Sequence, residues 1–290
     1  MIEMPKNLFF LLSSLSFCLL ISAVWTPLDA QDENRGWEIG GRLGPSFYFG
    51  DLNTDFDISK PGLMVGLGTH YNLNNRIVLG FMLNGARVYY RDDYTTNLFQ
   101  QARNLSFRTD IYEFASRVEF NFLEYIHGDI DHGTTPYLHA GLSAFYYRPT
   151  AELDGERYSL RSLGTEGQPP GEEYFYISMG LTYGVGLKVD FNYRWSIQID
   201  LSARVLFTDY IDDVSGTYAG DQEIRSLRGA NADIAVALAD RSSPNEQFPQ
   251  IGQPGRQRGN GKNNDTFAFL SVGIYRYFGY LRCPKISPLY

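Results

Sequence analysis

Three groups of side chains have types and spacing that could do chemistry. In "DLNTDFD", Asp51, Asn53, Asp55 and Asp57 stand at alternate positions, as in the opening of a calcium-binding EF-hand loop. Phe56 occupies the place where that loop needs glycine, and no glutamate follows at the twelfth position, so calcium binding is not expected there. The histidines His70, His127, His132 and His139 raise a second possibility, a lipid-hydrolysing serine–histidine site. His70 and His139 fall on strand-like segments facing a lumen, and His127 and His132 sit in a polar turn. None of these places suits such an enzyme, and solvated or hydrogen-bonded histidines are expected. The third group, Asp209, Asp212 and Asp213 in "TDYIDDVSGTY", could hold a cation, although acids where a strand runs into a loop commonly hydrogen-bond local backbone. No catalytic, cofactor-binding or metal-ligating residue is assigned, and the chain is expected not to be an enzyme.

The elements that position these residues are strands. "YGVGLKVDFNYRWSIQIDLSAR", Tyr183 to Arg204, alternates apolar and polar residues on both sides of "NYR", the pattern of a β-hairpin with one apolar and one polar face. Strand periodicity recurs over 37–51, 62–73, 77–92, 106–123, 135–149, 175–192, 195–211 and 266–280. Several of these segments far exceed the five or six residues common in soluble sheets. Short turns ("NLNNR", "EYIHGDIDHGTT", "NYR") alternate with long connections, the last of them at about 212–265. This arrangement describes an all-β protein: an eight-stranded antiparallel transmembrane outer-membrane β-barrel with long extracellular loops and both termini in the periplasm.

The charges decide which face meets lipid. Lys188 and Asp190 alternate with Leu187, Val189 and Phe191, and Glu38 and Arg42 with Ile39 and Leu43. A basic side chain facing lipid at the bilayer midplane costs about 2–4 kcal/mol, so the charged face is assigned to the interior. The expected lumen network comprises Glu38, Arg42, Glu113, Arg117, Glu119, Lys188, Asp190, Asp200 and Arg204. Opposite charges in so narrow a barrel should pair and fill it, which disfavours a diffusion pore. Two aromatic girdles are expected. Trp37, Tyr71, Phe122, Tyr137, Phe191, Tyr193, Trp195 and Phe278 lie toward the turns; Phe47, Tyr89, Tyr90, Tyr112, Tyr146, Phe175, Phe207 and Phe267 lie toward the loops. Within the last connection, Ile224, Leu227, Ile234, Ala235 and Leu238 recur at helical spacing, predicting short helices over the barrel mouth, separated at Gly229.

Composition agrees with this assignment. Of 290 residues, 43% are hydrophobic, and Tyr and Phe number 21 and 20, yet no long apolar run follows the amino terminus. A net charge of −8 offers no broad basic surface, so nucleic-acid binding is not expected. Residues 1–30, with Lys6, an apolar stretch and "LDA", read as a signal peptide cleaved after Ala30, with an uncleaved anchor as the alternative. The barrel domain then spans 31–290. Cys18 follows Phe17, where a lipoprotein signal needs a small residue, and after cleavage Cys283 is left with no internal disulfide partner.

"FYFGDLN", "YIDDVSGTY", "QRGNGKNND" and "RCP", in that order along the eight strands, resemble the PorG family, the outer-membrane barrel of the type IX secretion system. The likeness runs over essentially the whole mature chain. It implies a non-enzymatic component of protein export, without cofactor, set among outer-membrane lipids and docked to the periplasmic lipoprotein ring formed by PorK and PorN. A departure is the tail "LRCPKISPLY", which leaves Tyr277 or Phe278 to supply the aromatic of the barrel-insertion signal. The alternative reading is a stand-alone small barrel whose external loops bind a ligand or surface. Cys283 falls just past the last strand, on the periplasmic side. It is expected either as a sheltered thiol or in an intermolecular disulfide to a partner, with Arg282, Pro284 and Lys285 shaping the contact.

Overall fold

The period-two alternation closes into a ring. A computed structural model of the protein describes residues 35–279; the leader expected at 1–30 and the segment Arg282, Cys283, Pro284 and Lys285 lie outside the described residues. The strands are β1 (Gly36–Phe49), β2 (Gly62–Asn72), β3 (Ile77–Arg91), β4 (Ser106–Asn121), β5 (Thr134–Leu153), β6 (Glu156–Ser159), β7 (Ile177–Asn192), β8 (Trp195–Leu206) and β9 (Thr266–Gly279). Each long strand pairs antiparallel with the next, β5 pairs with β7, and β1 pairs with β9 to close an eight-stranded barrel. The four-residue β6 is a spur that folds back on the end of β5 outside the ring. It was not read from the sequence because "ERYS" is too short to show a period. The last connection also begins earlier than expected, at 207, because β8 ends at Leu206.

Burial inverts the rule for soluble proteins, in which charges lie outside and aliphatic residues inside. Leu43 is 62% exposed and Leu67 65%, whereas Glu38, Glu119 and Lys188 are fully buried. No helix among the described residues is long and apolar enough to cross a membrane. The closed ring pairs the strand backbone within itself and leaves an apolar outer wall, the two requirements for spanning hydrocarbon.

Most of the expected girdle residues point outward, among them Trp37, Phe122, Phe191, Tyr193, Trp195 and Phe278 at the turn end and Tyr112, Tyr146, Phe175 and Phe207 at the loop end. Tyr137, Tyr90 and Phe267 do not: each is buried inside the barrel. Their positions along the strand suit a girdle but their parity does not. Tyr137 shares the inward parity of His139, and Tyr90 that of Val88. At the end of β9, Tyr277 points inward and Phe278 outward, so Phe278 is the aromatic presented to lipid.

Small residues make room for the lumen charges. A Cβ at Gly186 would lie 2.4 Å from Cζ of Tyr137, and one at Gly184 2.6 Å from Nε2 of His139. Gly186→Val therefore forces the Tyr137 ring out of its place, and overpacking of this kind costs about 1–3 kcal/mol. The expected outcome is a lower temperature for loss of the compact, heat-modifiable band on gels, with outward Val185→Leu as an unaffected control.

Candidate functional site: the filled lumen and its two closures

The lumen is a continuous column of paired charges. At its centre Asp200 on β8 receives Nη1 of Arg117 at 3.0 Å and the Tyr137 hydroxyl at 2.9 Å, with Nε2 of His139 at 3.1 Å and Nη1 of Arg42 at 3.5 Å. Arg117 also donates to Glu119 at 2.7 Å, and the other oxygen of Glu119 takes the Lys188 ammonium at 2.6 Å. Toward the loops, Arg42 donates to Asn84, Asn84 to Glu113, and Glu113 accepts two bonds from Arg204 at 2.8 and 3.1 Å. The guanidinium of Arg204 lies 4.1 Å from the centroid of the Phe269 ring. Above it the interior turns apolar, with Phe145, Tyr147, Phe267, Leu206 and Ile111 packed together. The nine residues assigned to the lumen from sequence all take part in this column, Asp190 at its lower rim.

His127 closes the turn end. The polar turn 122–133 carries it back into the barrel, where it is 4% exposed rather than solvated. Its ring stacks on Tyr277 at 4.2 Å, with Nε2 3.1 Å from Glu38 and Nδ1 3.1 Å from Asp190. Asp190 also accepts from the Tyr125 hydroxyl, and Glu38 from Asn72 at 2.8 Å and Gln198 at 2.9 Å. Burial opposes a charge on His127, but the Glu38 and Asp190 carboxylates outweigh it and hold its pKa up at about 9. Five lumen carboxylates face four permanent cations, and a protonated His127 evens the balance. His132, in the same turn, is half exposed beside Asp129. His70 is buried against Tyr275 and lies 3.6 Å from Glu119.

The loops close the other end. Helices α1 (Leu98–Arg103), α2 (Leu160–Leu163), α3 (Asp221–Arg228) and α4 (Ala232–Ala239) fold over the mouth. Ile224, Ala235, Leu238 and Ala239 are buried with Leu52, Leu105, Ile211 and Val214 in a core continuous with the apolar upper lumen. Beneath them the three loop stretches quoted from the sequence meet. Asp51 of "FYFGDLN" accepts from the backbone N–H of Asn260 in "QRGNGKNND" at 2.7 Å. Arg258 of that stretch forms ion pairs with Glu166 at 3.1 Å and with Asp213 of "YIDDVSGTY" at 3.6 Å. Asp213, at φ 68°, is held in the left-handed region by bonds from Thr165 and Tyr174, and Tyr174 stacks between Tyr147 and Tyr210. A second buried cation, Arg103, grips Asp92 with two bonds and the carbonyl oxygens of Arg258 and Asp51 with two more.

This mouth carries more carboxylates than cations. The Tyr48 hydroxyl has one proton but lies within hydrogen-bonding distance of both Asp212 and Asp265. For both contacts to be hydrogen bonds, one carboxyl must keep its own proton. Burial and then the neighbouring acids raise Asp212 and Asp265 well above the usual carboxylate range. Burial pushes Asp209 up to about 7 and Asp213 to about 6. No group of acids or histidines among the described residues is arranged to hold a metal ion. In the EF-hand-like stretch, Asn53 instead caps its own loop, accepting from the Asp57 N–H at 2.8 Å and donating to the Tyr48 carbonyl at 2.7 Å. Convergence of these stretches was not readable from their spacing, because it is set by loops of unlike length meeting above the ring.

The geometry defines the class: an outer-membrane β-barrel of eight strands with a filled interior. The sequence profile of the family described as Domain of unknown function (DUF6089) matches residues 14–235, and the chain belongs to that family. No curated protein matches it in sequence. Among solved structures it is similar to Neisserial surface protein A (NspA), at 13% identity over 84% of this chain and 97% of that one, with a TM-score of 0.41. It is also similar to OprG from Pseudomonas aeruginosa, at 10% identity over 86% of this chain and 98% of that one, with a TM-score of 0.44. Ail, the attachment invasion locus protein of Yersinia pestis, matches at 11% identity over 86% and 100%, with a TM-score of 0.37.

Two outcomes follow. Asp200→Ala takes from Arg42 its one ion pair among the described residues and from Arg117 one of two. Breaking a buried pair costs about 3–5 kcal/mol, read as a lower urea midpoint for the barrel in lipid vesicles. The mouth acids have pKa values above the unfolded value of about 3.9, so their contribution to stability is complete below that pH and lost as pH rises through 6 to 7. Hydrogen exchange at 209–216 and 258–265, corrected for its intrinsic pH dependence, should show stronger protection at pH 5 than at pH 8, and Asp209→Asn should flatten that difference.

Proposed function

We propose that this chain is a PorG-type outer-membrane component of the type IX protein secretion machinery, acting as a structural docking element and not as a channel or an enzyme. The observation that carries the reading is the filled lumen: paired charges, an apolar plug and a folded cap leave no path for a polypeptide. A barrel of this kind serves export by holding other parts in place. The resemblance of its loop stretches to the PorG family supplies the system, and with it the partner, a periplasmic ring lipoprotein of the PorK and PorN type.

In this reading the short turns and both chain ends face the periplasm, and the cap faces the cell exterior. The periplasmic face then comprises the turns 73–76, 122–133 and 193–194 and the tail carrying Arg282, Cys283, Pro284 and Lys285. An intermolecular disulfide from Cys283 to a ring lipoprotein would tether barrel to ring without a large apolar interface. A second reading, a stand-alone barrel whose external loops bind a ligand or surface, is favoured by the size and order of the cap.

Crosslinking in native membranes followed by purification should recover the ring lipoprotein, and loss of the gene should stop cargo export. Export at the normal level in the deletion strain would leave the stand-alone reading in its place. Protease added to intact cells should cut within 241–264; cutting only after the outer membrane is breached inverts the orientation. On non-reducing gels of rapidly alkylated membranes, a heavier band that disappears with reductant and in Cys283→Ser marks the tether, and monomer alone removes it.

A further inference from the structure

The outer wall of β3, β4 and β5 is unlike the rest of the barrel surface. Near the loop end Gly85 faces outward between Val65 and Tyr112, and the missing side chain opens an apolar groove of about 740 Å3, walled by Leu83, Phe114, Tyr146 and Ile177. A Cβ at Gly85 would meet nothing closer than 3.9 Å, so the depression is open space and not a packing need.

Two residues farther along the same strands the wall becomes basic. Arg87, Asp110 and Arg148 form one row in register, and Tyr89, Arg108 and Thr150 the next. With a rise of about 3.3 Å per residue and the usual strand tilt, the first row lies about 5 Å beyond the tyrosines, at the depth of lipid headgroups. Arg91 and Arg157 border a second hollow of about 300 Å3 at this level, and Arg241 reaches in from the cap to bond Ser106 at 3.0 Å. These six arginines meet three carboxylates on the wall, Asp93, Asp110 and Glu152; Asp154 and Glu156 sit at the tip of the spur. Among the described residues Arg148 has no ion pair, and Arg108 has only one, at 4.0 Å. The pairs of Arg87, Arg91 and Arg157 are 39–53% exposed on the arginine side, and such pairs are held weakly enough to turn to another anion. The outward side chains near the same end of β1 and β8 are Phe47, Phe49, Val205 and Phe207, none of them charged. In a chain of net charge −8, this concentration of arginine on one face is specific.

We propose that this wall is a binding site for a phosphate-bearing, multiply acylated glycolipid of the outer leaflet, with an acyl chain in the groove over Gly85 and phosphate held by Arg87, Arg108 and Arg148. Planar guanidinium groups in a cluster match phosphate oxygens by paired N–H bonds, and the apolar groove directly below supplies what a free phosphate would not use. The assignment to the outer leaflet rests on the proposed orientation of the barrel; the binding itself does not.

The test uses purified full-length barrel in detergent, titrated with diphosphorylated lipid A and with the same lipid stripped of phosphate, and followed by native mass spectrometry. Wild type should bind the phosphorylated form at least ten-fold more tightly. Arg108→Glu with Arg148→Glu should abolish that preference, and Gly85→Leu should weaken both lipids while the folded, heat-modifiable band persists. Equal affinity for the two lipids, an unchanged double variant, or displacement of the lipid by millimolar inorganic phosphate alone would overturn the proposal. So would a concentration-dependent dimer lost in the double variant, which would assign the wall to a second copy. Cargo export in the deletion strain and protease cutting on intact cells are both read apart from lipid binding by the purified barrel, so failure of the secretion reading and failure of this site are distinguishable.

Discussion

A chain that crosses hydrocarbon must satisfy its backbone hydrogen bonds within itself, and the pairing of β1 with β9 is where this protein does so. Without that seam the sheet would present two unpaired edges to lipid. With it, every second residue of eight strands is committed to a narrow interior, and the rest of the structure follows. Charges that would be costly on the outer wall become tolerable inside because each meets an opposite charge across the lumen. Glycines at Gly184 and Gly186 leave room for the rings of His139 and Tyr137, and the outer wall is free to be apolar.

The interior is divided along its length. The half toward the turns is polar and closed by His127, whereas the half toward the loops is an ordinary hydrophobic core that continues into the cap. The two halves are held by different physics: one by a low-dielectric network in which every member depends on its neighbours, the other by burial of apolar area. The buried carboxylates of the cap lie between the hydrophobic core and water, which is why their proton affinities are raised.

The barrel was legible in the sequence because lipid and lumen impose opposite chemistries on alternate residues, so strands such as "KVDFNYRWSIQID" declare their faces without knowledge of their neighbours. Height along a strand was legible as well, but height without parity misassigned Tyr137, Tyr90 and Phe267 to the girdles. His127 escaped because a turn has no period to betray a side chain that folds inward. That Glu119 would take Lys188, and Asp200 would take Arg117 and Arg42, could not be read, since partners across a lumen are chosen by stagger between strands. The helices of the cap showed through their apolar spacing. The meeting of Asp51, Asp213 and Arg258 beneath them did not, because it depends on how three loops of unlike length come together.

The lumen network also constrains how the molecule can come into being. Arg42 on β1 reaches Asp200 on β8 across 158 positions of chain, and Gln198 reaches Glu38 across 160. A partial sheet of the first four strands would hold Glu38, Arg42 and Glu113 without Gln198, Asp200 and Arg204, and hydrocarbon would not accept it. Insertion strand by strand is thereby disfavoured. The chain has to be nearly complete before its charges can leave water, so synthesis and membrane entry are separated in time, and the unfinished barrel depends on a protected, aqueous waiting state.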